Sequence, residues 1–370
     1  MKHGLGSRDV VSEGTVKHSA NNQRADSHRC GDDLVVMGSA ISRRNFISSA
    51  AALGIGTGAV SRLGAQGPAF RIDIHGHMTP PIVLEVMGAE ELGNFAKWTP
   101  EIALAEMDKN GIATAMVSVP PHYDPKVVDK LARPTNEFAA RLMSDHKGRF
   151  GTFAFLPLPH VDTTLKEIEY VYDTLKLDGV GMYTNYGDKW IGDAAFDPVF
   201  EELNRRRAII FTHPITANCC GNLLKGVGDG TIEWQTDTTR AIANMLFSGS
   251  IMRYPNIRIV FSHGGGTMPY LVERFTAAAR NPKFKAQFPQ GFAAEAAKMF
   301  YDTAWTSNPV AMGALSKVVP LSQIVFGTDY PARGMTDHVK GLNECGVFSQ
   351  KELHDIQRDN ALALFPRFRS

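Results

Sequence analysis

The chain has 370 residues, 44% of them hydrophobic, and is long enough to bury a large core as one big domain or two ordinary ones. Its formal net charge of +1 gives no electrostatic basis for binding nucleic acid or an acidic membrane surface. Four cysteines in a chain of this length do not make a disulfide framework.

The first 66 residues are predicted to be a targeting segment rather than part of the folded domain. Residues 1–40 are polar, lack hydrophobic periodicity and are predicted to be disordered. Arg43 and Arg44 then precede a small-residue apolar run at 48–60, which resembles a twin-arginine export signal. This run is too short and too rich in glycine for stable membrane insertion. We expect a periplasmic or otherwise exported protein that starts near Gln66, or a cytoplasmic one if the arginine pair is a chance occurrence.

The length of this leader leaves the start of translation open. Forty residues before an arginine pair is unusually long for an export signal. Met37 lies just upstream of the pair, so translation begins either at Met1 or at Met37.

From residue 67 to the end, apolar runs typical of strands alternate with amphipathic helical segments. Strand candidates lie at residues 70–74, 114–119, 151–156, 180–183, 208–212, 257–262, 299–303 and 324–327. Helical patterns lie between them at residues 101–110, 136–146, 162–177, 196–207, 238–253, 268–280, 309–318 and 350–365. Eight β-then-α units in one chain predict an α/β fold, a (β/α)8 TIM barrel, over residues 67–370.

A doubly wound open sheet is the alternative fold. It is disfavoured because no Gly-x-Gly-x-x-Gly turn follows the first strand, and the glycines at 264–266 lack both that spacing and a Walker lysine. The long connections 214–237 and 281–297 are predicted to be active-site or subunit-contact insertions. Adjacent Cys219 and Cys220 lack a CxxC partner, which favours ordinary loop residues over soft-metal ligands.

Four of the predicted strands end in side chains that bind metals or move protons. The first strand ends in His75-Gly76-His77, and residues two apart on an extended backbone project from the same face. The fifth, sixth and eighth strands end at His213, His263 and Asp329. In a barrel these carboxyl ends converge on one rim, where catalysis occurs in this fold.

Three neutral imidazoles and one carboxylate form a donor set that suits zinc, with manganese or iron as competitors. An open coordination position would hold a water and lower its pKa to near neutrality. His263 is then predicted to be the general base beside that water rather than a fourth imidazole ligand. The plainer interpretation, hydrogen-bonded histidines and a turn carboxylate, requires all of these residues to share one rim by coincidence.

This set of residues, spread over positions 70–365, resembles the amidohydrolase superfamily, and the resemblance implies a TIM barrel of the metal-dependent hydrolase type. No lysine ends the fourth strand, so the lysine that bridges two metals in some members is absent and the resemblance implies one metal ion. Ser-His-Gly-Gly-Gly-Thr-Met-Pro-Tyr at 262–270 and Gly-Thr-Asp-Tyr-Pro at 327–331 are similar to the amino-carboxymuconate-semialdehyde decarboxylase branch, which includes non-oxidative decarboxylases of aromatic acids. The resemblance implies one divalent ion, zinc or else manganese, and proton transfer by His263 and Asp329. The metal ligands that it implies are His75, His77, His213 and Asp329.

The same resemblance implies a homodimer and a small carboxylic acid as substrate. Arg274 matches an arginine that in some members reaches a neighbouring subunit's site to hold a carboxylate, although a solvated helix arginine is the alternative. Residues 72–132 contain no arginine, whereas the semialdehyde decarboxylases carry one there, and this favours a phenolic acid such as a methylsalicylate. The predicted substrate contacts, with ordinary packing as their alternative, are Tyr183, Asn185, Trp190, Trp305 and Tyr330.

The predicted reaction is loss of CO2 without a redox cofactor. Protonation at the carbon that bears the carboxylate, by His263 or Asp329, lets the C–C bond break while the metal stabilises the developing negative charge. The same centre would also support hydrolysis of a lactone, ester or amide, and sequence spacing does not separate the two reactions. A secreted binding protein on a degenerate barrel is disfavoured because no metal position has been lost.

Overall fold

Ten strands form in the part of the chain that the computed structural model describes, residues 69–122 and 124–369. In chain order they are β1 (Arg71–His77), β2 (Ile112–Ser118), β3 (Phe150–Phe155), β4 (Gly179–Tyr183), β5 (Asn185–Tyr186), β6 (Lys189–Trp190), β7 (Ile209–His213), β8 (Arg258–Phe261), β9 (Phe300–Asp302) and β10 (Ile324–Val325). Eight of them form one sheet in the order β1-β2-β3-β4-β7-β8-β9-β10, and β5 pairs with β6 in a separate hairpin.

The first and last strands of the eight-stranded sheet meet, so the sheet forms a barrel. A parallel bridge joins Gly76 to Tyr330. The His77 N–H donates to the Tyr330 carbonyl at 2.8 Å, and the Ile74 N–H donates to the Phe326 carbonyl at 2.8 Å. All strand pairs of this sheet are parallel, and their carboxyl ends therefore face one rim. The predicted (β/α)8 barrel is confirmed, with every predicted strand within a few residues of its expected bounds.

Helices separate the strands. In chain order they are α1 (Pro81–Met87), α2 (Ala89–Leu92), α3 (Pro100–Lys109), α4 (Val128–Asp145), α5 (Val161–Tyr170), α6 (Asp197–Arg205), α7 (Glu233–Phe247), α8 (Ser250–Arg253), α9 (Val272–Ala279), α10 (Phe292–Ala296), α11 (Pro309–Val318), α12 (Met335–Glu344), α13 (Gln350–His354) and α14 (Asn360–Leu364). The predicted export signal lies outside the described residues. Within those residues, no helix is both long and apolar enough to cross a bilayer.

Helix α4 begins eight residues before its predicted start because packing outweighs a local breaker. Pro134 lies inside the helix and removes one backbone hydrogen bond. Leu131, Thr135 and Ala139 are nevertheless buried on one face of the helix, which packs against β3. The free energy gained from burying this face supports the turn that precedes the proline.

Other predicted helices are divided in the structure, and helices also form in stretches without a helix prediction. The segment predicted as one helix at 238–253 forms α7 and α8, because Gly249 adopts a left-handed φ of 77° between them. Helix α12 was not predicted. Helix α12 has three buried residues (Met335, His338 and Leu342), and the polar residues between them leave a weak hydrophobic periodicity in the sequence.

Apolar side chains fill the barrel interior toward the amino ends of the strands, and the polar side chains lie at the carboxyl rim. Arg258, at the start of β8, donates to the Ala363 carbonyl at 3.1 Å, which fixes the C-terminal segment beneath the barrel. The centre of the Phe211 ring lies 4.8 Å from that of the His75 ring, so the phenyl group packs beneath this imidazole. The apolar side chains of this interior layer and of its lower cap include Ile72, Ile74, Met116, Phe153, Phe211, Val260, Leu364, Phe365 and Phe368.

Candidate metal centre and active site

Three strands bring the four predicted ligand residues to one point at the carboxyl rim. His75 and His77 come from β1 and His213 from the end of β7, and all three are buried. Asp329, only 3% exposed, follows β10 and points its Oδ1 at them. The Nε2 atoms of His75, His77 and His213 lie 3.2, 2.8 and 3.8 Å from Asp329 Oδ1. Side chains some 250 residues apart in the sequence therefore lie together at this rim.

Asp302, at the end of β9, orients His75. Its Oδ2 lies 2.7 Å from His75 Nδ1, while its Oδ1 accepts the backbone N–H groups of His263 and Ala304, each at 2.9 Å. The carboxylate accepts the Nδ1 proton, so the Nε2 lone pair of His75 faces the other imidazoles. A carboxylate bonded to the outer nitrogen of a histidine is the usual support of a metal ligand.

Backbone carbonyls orient the other two imidazoles in the same way. His77 Nδ1 donates to the Val119 carbonyl at 2.9 Å, and His213 Nδ1 donates to the Pro214 carbonyl at 2.8 Å. A carbonyl oxygen only accepts, so each Nδ1 carries the proton and each Nε2 is left with a free lone pair. Three inward Nε2 atoms and one carboxylate oxygen are thereby presented to the same small volume.

His263 differs from these three histidines in the contacts of its two ring nitrogens. Its Nε2 lies 3.3 Å from the other oxygen of Asp329, Oδ2, and its buried Nδ1 has no hydrogen-bond partner among the described residues. The residues whose possible ligand atoms all lie within 4.8 Å of one another are His75, His213, His263 and Asp329, so His263 is near enough to be a ligand and His77 falls outside that particular group.

The charges of the site fit a bound divalent cation. Burial lowers the pKa of His213 to about 3 and also lowers the pKa of His77, so both imidazoles are neutral, as metal binding requires. Burial opposes a charge on His75, but Asp302 and Asp329 outweigh it and raise its pKa to about 10, so His75 would release its Nε2 proton when a metal binds. The Nε2 atoms of His75 and His213 are buried without a hydrogen-bond partner among the described residues. A cation among these atoms would satisfy both the lone pairs and the carboxylates.

Asp73 is a further support that the sequence analysis missed. Its Oδ1 accepts the backbone N–H groups of His75 and Thr328, both at 3.0 Å, and its Oδ2 accepts the Thr328 hydroxyl at 2.5 Å. It therefore ties β1 to the turn that carries Asp329, while burial raises the pKa of its own carboxyl to about 7. An aspartate inside an apolar strand, two residues before the first histidine, was the signal available in the sequence. Asp302, at the end of a predicted strand, was equally readable.

A cleft of about 580 Å³ opens from this centre between the loops that follow β7, β8, β9 and β10. His263 and Asp329 form its inner end, and the indoles of Trp234 and Trp305 form parts of its wall. Trp305, a predicted substrate contact, is 47% exposed there and donates its Nε1–H to Asp329 Oδ2 at 2.7 Å. Trp234 was not predicted, and its ring lies edge-on to His213 at 5.7 Å.

Two of the predicted substrate residues are engaged elsewhere. Asn185 Nδ2 donates to Asp237 Oδ2 at 2.8 Å, and Trp190 Nε1 donates to Asp237 Oδ1 at 2.7 Å. Neither residue lines the 580 Å³ cleft. Both hold the β5–β6 hairpin against the start of α7, and their proposed contact with substrate stays a prediction.

The other predicted substrate residues are also outside the cleft lining. The hydroxyl of Tyr183 donates to the carbonyls of Pro120 and His122, at 3.1 and 2.9 Å, beside a small space next to His213. Tyr330 is half-buried, and its backbone closes the barrel beside Asp329. Arg274 is exposed on α9. The structure therefore brings Trp305 alone of the predicted set to the cleft, and the roles of the others stay predictions.

The long connection between β7 and α7, predicted to be an active-site or subunit-contact insertion, forms one wall of the cleft. Asp229 closes this loop by accepting the Thr216 hydroxyl at 3.0 Å and the Asn222 N–H at 2.9 Å. Cys219 and Cys220 form a disulfide between adjacent residues within it. The expectation of ordinary loop cysteines therefore missed a bond that adjacency alone did not reveal.

Comparison with known proteins agrees with this geometry. The family model described as Amidohydrolase matches residues 72–367. The chain is 32% identical over 323 residues to Decarboxylase yanB of Aspergillus niger, covering 80% of this chain and 88% of that protein. It is 32% identical over 317 residues to the 6-methylsalicylic acid decarboxylase of Penicillium expansum, covering 81% and 97%.

The solved structures extend the likeness to the whole barrel. A dihydroxybenzoic acid decarboxylase from Polaromonas sp. JS666, solved with bound manganese and the inhibitor 2-nitroresorcinol, superimposes with a TM-score of 0.68 at 19% identity, covering 81% of this chain and 98% of that one. At that level of identity the structural likeness shows the fold, and the family match rests on the sequence. By its fold and by the family model that spans most of its length, the chain belongs to the amidohydrolase family.

Proposed function

We propose that this protein is a metal-dependent, non-oxidative decarboxylase of a small aromatic acid. The observation that carries the proposal is a buried set of three imidazoles and one carboxylate at the inner end of a cleft walled by indoles. Relatives with 32% identity over most of both chains are named decarboxylases, one of them for 6-methylsalicylic acid. Carboxy-lyase activity is therefore preferred to hydrolysis.

One divalent ion, zinc or manganese, would be held by His75, His77, His213 and Asp329. Four ligands about 2.0 Å from a zinc ion lie about 3.3 Å from one another, and the three Nε2-to-Oδ1 distances of 2.8–3.8 Å bracket that value. The Nδ1–H of each of the three proposed ligand histidines donates to an acceptor, whereas the Nδ1 of His263 has no partner among the described residues. This difference supports His263 as the residue left for proton transfer.

The ion would supply positive charge that orients the substrate's oxygens and stabilises negative charge as CO2 departs. His263, in the cleft wall beside Asp329, delivers its proton to the ring carbon that bears the carboxylate. The electron pair of the C–C bond then returns to the ring as CO2 leaves, and His263 regains a proton from solvent. The reaction consumes one proton and needs no redox partner.

The walls of the cleft favour an aromatic monoacid. Among the described residues that line it there is no arginine and no lysine, so the metal is the available countercharge for a carboxylate. The two indoles offer flat apolar faces to a ring. In a homodimer, Arg274 of a second copy is the proposed additional contact with the carboxylate. Measurement of the protein's size in solution tests the homodimer. A substrate titration of Arg274→Met tests the contact of the arginine with the carboxylate.

The deciding experiment pairs elemental analysis of the purified protein with a substrate panel. We expect one equivalent of zinc or manganese, and CO2 release from 6-methylsalicylate or dihydroxybenzoates that stops on chelation and returns with the metal. Turnover of lactones or esters without CO2 release from any acid would replace decarboxylation by hydrolysis. Absence of both metal and turnover would remove the enzyme assignment.

Export by the twin-arginine signal is proposed from the sequence alone. Replacing Arg43 and Arg44 by lysine should abolish export of the full-length chain by the twin-arginine route and leave it in the cytoplasm. Cell fractionation of a host with that export route measures the outcome. Equal distribution of the parent and the double variant would show that the pair is not a signal.

A further inference from the structure

The two oxygens of Asp329 have different neighbours. Oδ1 faces the imidazoles of β1 and β7, whereas Oδ2 accepts the Trp305 indole N–H at 2.7 Å and faces His263 Nε2 at 3.3 Å. An indole nitrogen donates and never accepts. The contact therefore holds Oδ2 in one direction and, through the planar carboxylate, directs Oδ1 toward the proposed metal.

The backbone at this point is strained in the residues that make the contact. His263, Trp305 and Asp329 have φ values of 54°, 58° and 59°, the left-handed region that bulky side chains rarely adopt. They account for half of the six non-glycine residues with positive φ in the described part of the chain. Such strain persists where the surrounding structure requires one side-chain direction. Here the side chains of His263 and Trp305 both point toward Oδ2 of Asp329.

The outer face of Trp305 is held as well, although the side chain is exposed to the cleft. The guanidinium of Arg333 lies over the indole, 5.2 Å from its centre, and Arg333 is itself paired with Asp337 at 3.2 Å. The Trp305 backbone N–H donates to His338 Nδ1 at 3.4 Å. An exposed indole thus has its nitrogen, one ring face and its backbone fixed at once.

From these contacts we propose that Trp305 is a positioning residue for Asp329, which it keeps turned so that a single carboxylate oxygen faces the three imidazoles. Arg333 in turn keeps the indole in place. The inference rests on the metal site of the proposed function and assigns to Trp305 a role beyond contact with substrate. It predicts that the indole N–H contributes to metal affinity even when no substrate is present.

Trp305→Phe tests this directly, since phenylalanine keeps an aromatic wall and removes the N–H. With full-length apoprotein and zinc in the presence of a chromophoric chelator, we expect zinc affinity to fall about 10- to 100-fold, the usual cost of losing a partner of a metal ligand. Trp190→Phe is the matched control, because it removes an indole N–H donated at the same 2.7 Å to another buried carboxylate, that of Asp237. Its zinc affinity should equal that of the parent chain.

Each outcome decides one question. Equal zinc affinity of the parent chain and Trp305→Phe overturns the positioning role. If the parent chain binds neither zinc nor manganese, the proposed function fails instead. If Trp305→Phe does not fold, Arg333→Gln at the surface decides. A fall of about threefold in zinc affinity, the size expected from loss of an exposed cation–π contact, supports the inference, and an unchanged affinity overturns it.

Discussion

Asp329 and Asp237 are two buried carboxylates, and each accepts an indole N–H at 2.7 Å. Around Asp237 the neighbours are donors: the Thr184 hydroxyl, the Asn185 amide and the Trp190 indole. Around Asp329 three of the neighbours are imidazole nitrogens whose protons lie on the opposite side of the ring.

The difference shows what turns a buried carboxylate into a candidate metal ligand. The hydrogen bonds to Asp237 are complete, so that residue fastens the β5–β6 hairpin to α7. Burial raises the pKa of Asp237, whereas at Asp329 the positive charge that His75 carries without a metal outweighs burial and holds the pKa of the carboxyl well below its usual value. Nitrogen lone pairs that face a fixed negative charge repel it unless a cation lies between them. Hydrogen-bond donors that face a negative charge stabilise it without a cation.

The largest effect is expected for Asp329→Asn. The amide removes the negative charge that the three Nε2 atoms share, so the metal should be lost and kcat/KM should fall at least about a thousandfold, or about 4 kcal/mol. Elemental analysis and CO2 release measure both. Asp237→Asn, which makes the same chemical change at the other carboxylate, should retain its metal. Retention of metal and activity in Asp329→Asn would contradict the site.

The second prediction concerns His338, which supports the backbone of Trp305. Burial, followed by the nearby Arg333, lowers the pKa of His338 to about 4, so the folded protein keeps it neutral while the unfolded chain takes up a proton below about pH 6.5. Stability should therefore fall as the pH drops from about 6.5 to about 4, by about 3 kcal/mol in all. Urea unfolding across this range should show that His338→Gln has a shallower dependence, and His354→Gln, an exposed change, should not alter it.

Asp237→Asn should act on stability rather than on chemistry. One of the donors that point at the carboxylate loses its acceptor, which costs about 2 kcal/mol of unfolding free energy. Urea denaturation measures the loss, and zinc content is the accompanying control. If stability were unchanged while zinc content fell, the contrast drawn between the two carboxylates would be wrong.

The smallest effect is expected at Asp302, one step removed from the proposed metal. Asp302→Asn weakens the acceptor for His75 Nδ1 and should reduce zinc affinity about tenfold, equivalent to about 1.4 kcal/mol. Chelator competition on the apoprotein measures this change. Asp178→Asn, at a carboxylate that pairs with Arg367 at the other end of the barrel, is the matched control and should leave zinc affinity as it is.

Much of the barrel and of the candidate centre could be predicted because the relevant information is local. Alternating apolar and amphipathic runs place the eight strands, and the two-residue period of a strand puts His75 and His77 on one face. Histidine or aspartate at the end of several strands then marks the rim, since parallel strands in a barrel all end there. No pairing between distant residues has to be known for these conclusions.

What the tertiary structure alone decided is the partner of each side chain. His75 and Asp302 are 227 residues apart, and His77 and Asp329 are 252 residues apart, so their contacts depend on strand register and on barrel closure at Gly76 and Tyr330. The same holds for Trp190, which the sequence offered as a substrate contact and the fold directs to Asp237. Residue type and spacing fixed which chemistry was available. Packing fixed which atoms meet, because a hydrogen bond or a metal ligand is effective only within a few ångströms.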